Sequence, residues 1–133
     1  MAIIVTPPQP KRRGHGSPEA RIQAECFQWL WNNHPETHKR YFAVLNENER
    51  ADSSAITGAQ RKARGVVAGV SDSLLLMARG KYHGLCCEFK TATGRQRECQ
   101  IEWQAIMESE GYYYFICRSK EHFIEVIVWY LSL

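Results

Sequence analysis

The sequence contains no apolar run of the roughly 18 residues needed to cross a bilayer, no Cys-x-x-Cys pair and no internal repeat. The first absence excludes a membrane-spanning helix, and the second speaks against a zinc module or a thiol-redox motif. The pattern of a secretory signal is missing too: Lys11, Arg12 and Arg13 follow a very short apolar patch instead of preceding a long one. The expected compartment is the cytoplasm. Proline is scarce beyond residues 1–16, which hold three of the five. Neither sign of charge dominates, since 17 Lys and Arg face 14 Asp and Glu for a formal net charge of +3. So mild a balance permits a polyanionic partner without requiring one.

What is present is ordinary globular composition, 44% hydrophobic and 23% charged over 133 residues, enough for one domain with one core. The cysteines (Cys26, Cys86, Cys87, Cys99 and Cys117) are odd in number, and several fall on the apolar phase of their segments. They read as free, mostly buried thiols. His34 and His38 have a spacing that suits a metal, but they flank a proline in a polar stretch with no matching cysteine pair. No zinc site is expected there. Basic residues are grouped: Lys11, Arg12 and Arg13 form one cluster, and Arg50, Arg61, Lys62 and Arg64 lie in a second stretch ahead of Asp72. Each would serve as a solvated polar segment; together they favour a polyanionic substrate.

Residues 1–16 read as a flexible basic arm and 17–133 as the folded domain. Ser17 suits a helix N-cap, Pro18 the first helical position and Glu19 the positive helix end. Ile22, Cys26, Trp29 and Leu30 continue that helix with one buried face, to about Asn33. Tyr41 to Leu45 predicts a strand, and residues 46–69 a long polar connection with a helical turn at Ala59 to Arg64. Strands at Ser73 to Met77 and Leu85 to Lys90 form a hairpin. A helix follows Gly94, with Ile101, Ala105 and Met107 among its apolar residues, then the strand Tyr112 to Cys117 and a last helix capped by Ser119. The order α-β-β-β-α-β-α predicts an α/β domain with a small mixed sheet flanked by helices.

Three charges interrupt this apolar hairpin. Strand alternation puts Cys86, Glu88 and Lys90 on one face and Leu85, Cys87 and Phe89 on the other. A turn centred on Gly80 would set Asp72 opposite Glu88, where Cβ atoms lie about 4.5–5.5 Å apart and like charges repel. A cation, a raised pKa or Lys90 must compensate. Mg²⁺ is the economical answer, because it takes one or two carboxylates and keeps several waters. Lys90 could then position or deprotonate a water or steady developing charge. The plainer reading is a surface ion pair between Glu88 and Lys90, worth little. Glu19 and Gln23 share a helix face, so Glu19 could join a metal site directly or through water, or simply favour its helix N-terminus.

These residues resemble a known family. Gly65-Val66, Gly69-Val70-Ser71-Asp72 and Glu88-Phe89-Lys90 look like the motifs of the VRR-NUC domain, within the PD-(D/E)XK nuclease superfamily. Glu19 and Gln23 ahead of Trp29, Leu45-Asn46, and Gln100 with Trp103 extend the likeness across about residues 17–131. The departures are Ser71 where the family has proline, Ser73 where it has leucine, and a missing proline before Asn46. The resemblance implies a restriction-endonuclease-like core and a metal-dependent DNA endonuclease. Asp72, Glu88 and Glu19 would bind Mg²⁺ or Mn²⁺, Lys90 would serve the attacking water, and Gln23 and Gln100 would support the site or contact phosphate. Asn46, Arg50, Arg61 and Lys62 would meet DNA. Short members of this kind resemble phage and bacterial enzymes that act as homodimers on branched DNA such as four-way (Holliday) junctions. The alternative is a DNA-binding module of the same fold that does not cleave.

Overall fold

Ser17 accepts a hydrogen bond from the Ala20 amide at 3.1 Å and starts α1 (Pro18–Asn33), with Pro18 at the first position. In this computed structural model, which describes residues 16–45 and 58–133, the remaining elements follow in the expected order. They are β1 (Tyr41–Ala43), α2 (Gly58–Ala63), β2 (Ser73–Leu75), β3 (Gly84–Phe89), α3 (Glu98–Ser109), β4 (Tyr112–Cys117) and α4 (Lys120–Leu131). A 3-10 turn at Pro35–Thr37, which the sequence reading does not contain, separates α1 from β1. Strands β1 and β2 are shorter than expected. Lys11, Arg12, Arg13, Asn46 and Arg50, with nearly all of the expected arm, lie outside the described residues. Among the described residues no helix is long and apolar enough to cross a membrane.

The sheet runs β1-β2-β3-β4, antiparallel up to β3 and parallel between β3 and β4. A parallel pair cannot be closed by a tight turn, and α3 supplies the crossover. Leu85, Cys87 and Phe89 face α1 and α4, where Cys26, Leu30, Phe123, Ile127 and Tyr130 complete the core. The opposite face of β4 packs on α3, with Trp103 and Tyr114 ring centroids 6.0 Å apart. The result is three layers, and β3, covered on both sides, is buried at every position.

The apolar residues of α3 stay outside the core cluster. Ile101 and Ile106 are each 54% exposed, and the helix residue that is buried is Gln100. The cause is the crossover: α3 lies over the edge strand β4 and presses its polar N-terminal turn inward. Cys26, Cys86, Cys87 and Cys117 are buried free thiols, as expected. Burial pushes the Cys86 thiol up to about 12, partly offset by a hydrogen bond with Ser71.

Ser73, completely buried, accepts a 2.7 Å hydrogen bond from the Tyr41 hydroxyl. A leucine here would leave that phenol unpaired, so Tyr41 and Ser73 form a matched set. Ser73→Ala should destabilise the fold by about 1–3 kcal/mol, the cost of an unsatisfied buried hydroxyl. The double change Ser73→Ala with Tyr41→Phe should recover part of that loss. Urea denaturation of the four proteins measures this coupling, and strict additivity would refute it.

Candidate active site around Asp72 and Glu88

The hairpin pairs Ser73 with Cys87 and Leu74 with Cys86. Continued by one step, that register sets Asp72 against Glu88. Asp72 Oδ2 accepts a 2.6 Å hydrogen bond from the Phe89 amide, which fixes the carboxylate to the strand carrying Glu88. Its backbone is held as well, since Asp72 O accepts from Val44 N at 2.8 Å. Ser71, the residue preceding Asp72, donates its hydroxyl to Ser73 O at 3.1 Å. A local side-chain bond thus shapes the turn into Asp72 without a proline ring.

The approach to Asp72 depends on two glycines with positive φ, Gly65 at 92° and Gly69 at 87°. At Gly69 a Cβ would lie 2.3 Å from the Cys99 carbonyl oxygen, so the loop backbone packs directly on the first turn of α3. That turn is closed by Gln100, whose Oε1 accepts from the Arg97 amide at 2.8 Å. Gln100 is therefore engaged in capping the helix.

Glu88 is fully buried on the α3 side of the sheet. Its Oε1 accepts a hydrogen bond from the Tyr114 hydroxyl at 2.9 Å, while its Oε2 is buried with no hydrogen-bond partner. Burial, and then the neighbouring Glu88 charge, drive the Tyr114 hydroxyl well above the usual phenol range, which keeps it a proton donor. Lys90 follows on the same face, 8% exposed, with its backbone amide bonded to Cys117 O at 3.0 Å. No ion pair joins Lys90 to Glu88, so the plain reading of a surface salt bridge does not hold.

The structure brings Asp72 and Glu88 together, with Lys90 just beyond. Glu19 and Gln23 are half-buried on α1, in the layer across the sheet from α3. Among the described residues no group of three His, Cys, Asp or Glu side chains is placed to hold a metal ion, so Glu19 makes no three-carboxylate set with the pair. Arg61 and Lys62 sit in the last turn of α2, joined to Asp72 by the two-glycine loop. His34 and His38 are engaged elsewhere: His34 pairs with Glu36 at 3.0 Å, and His38 Nε2 lies 2.9 Å from Trp31 O. The group that sequence reasoning missed is Tyr114. It looked like a sheet residue among three tyrosines, and only the parallel register of β3 and β4 reveals its reach to Glu88.

An orphaned carboxylate oxygen beside a second carboxylate fits a hard divalent cation. An uncompensated buried charge costs several kcal/mol, and Mg²⁺ or Mn²⁺ accepts oxygen donors of this type in ones or twos, leaving further positions to water and phosphate.

Among solved structures, the chain is similar to one described as a "VRR_NUC domain protein". The two share 24% identity and a TM-score of 0.73, over 90% of this chain and 92% of that one. The chain thus has a VRR-NUC-type fold, and the expected fold class holds. Known protein families and curated proteins, compared by sequence, gave no match.

Proposed function

We propose that the protein is a divalent-cation-dependent endonuclease that hydrolyses phosphodiester bonds in branched DNA, four-way junctions above all, as a homodimer. The observation that carries this reading is the buried Glu88 with one oxygen lacking a donor, beside Asp72 and followed by Lys90, in a VRR-NUC-type fold. Asp72 and Glu88 would hold Mg²⁺ or Mn²⁺. When bound, such an ion supplies Lewis-acid neutralisation of charge on the scissile phosphate. The Phe89 amide keeps Asp72 aimed at the neighbouring strand, and the Tyr114 hydroxyl does the same for Glu88. Lys90 would orient the water that attacks phosphorus and steady the charge that develops there. Glu19 and Gln23 would act through water from the end of α1, Gln100 by holding the first turn of α3. Two such sites related by a twofold axis would suit a junction that must be cut symmetrically.

The test is cleavage of a labelled panel: four-way junction, 5′ flap, splayed arm, linear duplex and single strand, each with Mg²⁺, Mn²⁺ or EDTA. Paired, metal-dependent nicks in the junction are expected. Cutting of every substrate would discard junction selectivity, and tight binding without cutting under either metal would leave a DNA-binding module. Light scattering with and without junction DNA reads the dimer, which a strict monomer in both would rule out.

Asn46, Arg50, Arg61 and Lys62 would contact phosphates. Replacing Arg61 and Lys62 with alanine should weaken DNA binding alike across sequences. The log–log salt slope should fall by about one unit per lost contact. Fluorescence anisotropy titrations at several salt concentrations measure both, and an unchanged slope would remove these residues from the interface.

A further inference from the structure

We propose that Tyr114 is the positioning residue of the carboxylate pair: its hydroxyl ties down one oxygen of Glu88 and thereby presents the other to a divalent cation. The inference rests on the cation-dependent reading of this site and assigns the residue that sets its geometry.

In the parallel register Tyr114 stands beside Cys86, and Glu88 stands beside Ile116. The phenol therefore reaches diagonally along the sheet face, a span of about 7–8 Å between backbones that a tyrosine covers and a shorter side chain does not. It ends 2.9 Å from Glu88 Oε1, in a buried hydrogen bond. The other oxygen of the same carboxylate, equally buried, has no donor. One carboxylate is thus held asymmetrically, with one acceptor filled by the protein and one left for something else. Asp72 is also tied to the protein, through the Phe89 amide on Oδ2.

The phenol is itself fixed. Its ring packs edge-on against Trp103 at 6.0 Å and 61°. Gln96 lies near that hydroxyl and eases its ionisation, while Gln96 Nε2 donates to Gln104 Oε1 at 2.8 Å. A row of polar groups thus runs from α3 through Gln96 and Tyr114 to Glu88. Such supporting partners hold a ligand in its binding orientation, and their loss typically weakens metal affinity by about 10–100-fold. A phenylalanine would fill the same volume and pack on the same tryptophan, so packing gives no reason for the hydroxyl.

The experiment measures Mn²⁺ binding to the DNA-free protein by electron paramagnetic resonance of the unbound ion, for wild type, Tyr114→Phe, Gln96→Leu and Glu88→Gln. Tyr114→Phe is expected to raise the Mn²⁺ dissociation constant by about 10-fold or more, and Gln96→Leu by a smaller factor. DNA affinity in EDTA should stay at the wild-type value, and saturating Mn²⁺ should restore most of the cleavage rate. Wild-type Mn²⁺ affinity in Tyr114→Phe, with affinity lost in Glu88→Gln, would overturn the role of Tyr114 and leave the site intact. Wild-type affinity in Glu88→Gln would overturn the site itself. Should Tyr114→Phe fail to fold, unchanged Mn²⁺ affinity in Gln96→Leu would overturn the proposal in its place.

Discussion

Glu88→Gln is expected to reduce metal-dependent cleavage by about 10²–10³-fold, the scale of losing one electrostatic element of a catalytic site, while raising thermal stability in metal-free buffer. The two effects share one cause. Glu88 is enclosed, with Oε2 unpartnered, so its charge adds nothing to the apo fold and costs desolvation. Glutamine keeps the shape, still accepts from Tyr114 through its carbonyl oxygen and sets an amide NH2 where Oε2 lay, a smaller cost than a buried charge; it is also a poor ligand for a hard cation. A gain of about 1–3 kcal/mol would raise Tm by several degrees in a domain of this size. Calorimetry in EDTA beside a single-turnover cleavage assay reads both quantities. Turnover near wild type would take Glu88 out of the mechanism. A lower Tm would mean that the orphan oxygen is compensated in solution. Glu88→Ala is a poorer probe, since it leaves both a cavity and an unpaired Tyr114 hydroxyl.

The second large effect is expected at Gly69. Its φ of 87° already strains any side chain, and an alanine Cβ would meet the Cys99 carbonyl oxygen at 2.3 Å and the Gln100 nitrogen at 3.0 Å. Those atoms are backbone in the first turn of a helix and cannot swing aside. Gly69→Ala should cost about 4 kcal/mol or more, a large share of the total stability of a domain this size. Gly65 is the natural control: its φ is 92°, but nothing lies within 4 Å of a Cβ there. Gly65→Ala should cost only the backbone term, about 1–2 kcal/mol. Urea midpoints of the two variants separate strain from collision, and equal losses would mean that the contact with α3 is not close. A partly folded Gly69→Ala protein should also lose cleavage, because the loop that ends in Asp72 would be displaced from α3.

The carboxylate pair was legible in the sequence because a hairpin is local. Once Gly80 marks the turn, strand alternation dictates both the partner of each residue and the face it occupies, and the observed pairing of Ser73 with Cys87 agrees. Periodicity likewise located α1, and the Ser119 cap located α4; the apolar residues of both helices meet the sheet. In α3 the apolar Ile101 is exposed, while Gln100, expected to support the site or contact phosphate, is buried. There the backbone contact with Gly69 decides the packing, and side-chain hydrophobicity does not report it. The α1 residues illustrate another limit: Glu19 and Gln23 share a helix face, but sequence does not say across which layer that face looks. Tyr114 was hidden because its partner is set by the parallel register of strands joined through a helix, which no turn residue encodes.

The two halves of the candidate site also differ in how far along the chain their partners lie, which bears on the order in which they assemble. Asp72 and the Phe89 amide are separated by 17 positions, Glu88 and Tyr114 by 26, and Ser73 and Tyr41 by 32. Loop-closure entropy favours the nearest pairing first, and a parallel pairing through a crossover is slow. The two acids should therefore meet during folding before the phenol arrives to restrain one of them. In kinetic terms, substitutions in the hairpin should slow refolding, whereas Tyr114→Phe should act almost wholly by speeding unfolding. The group that sets the geometry of the site would then be the last to lock and the first to let go.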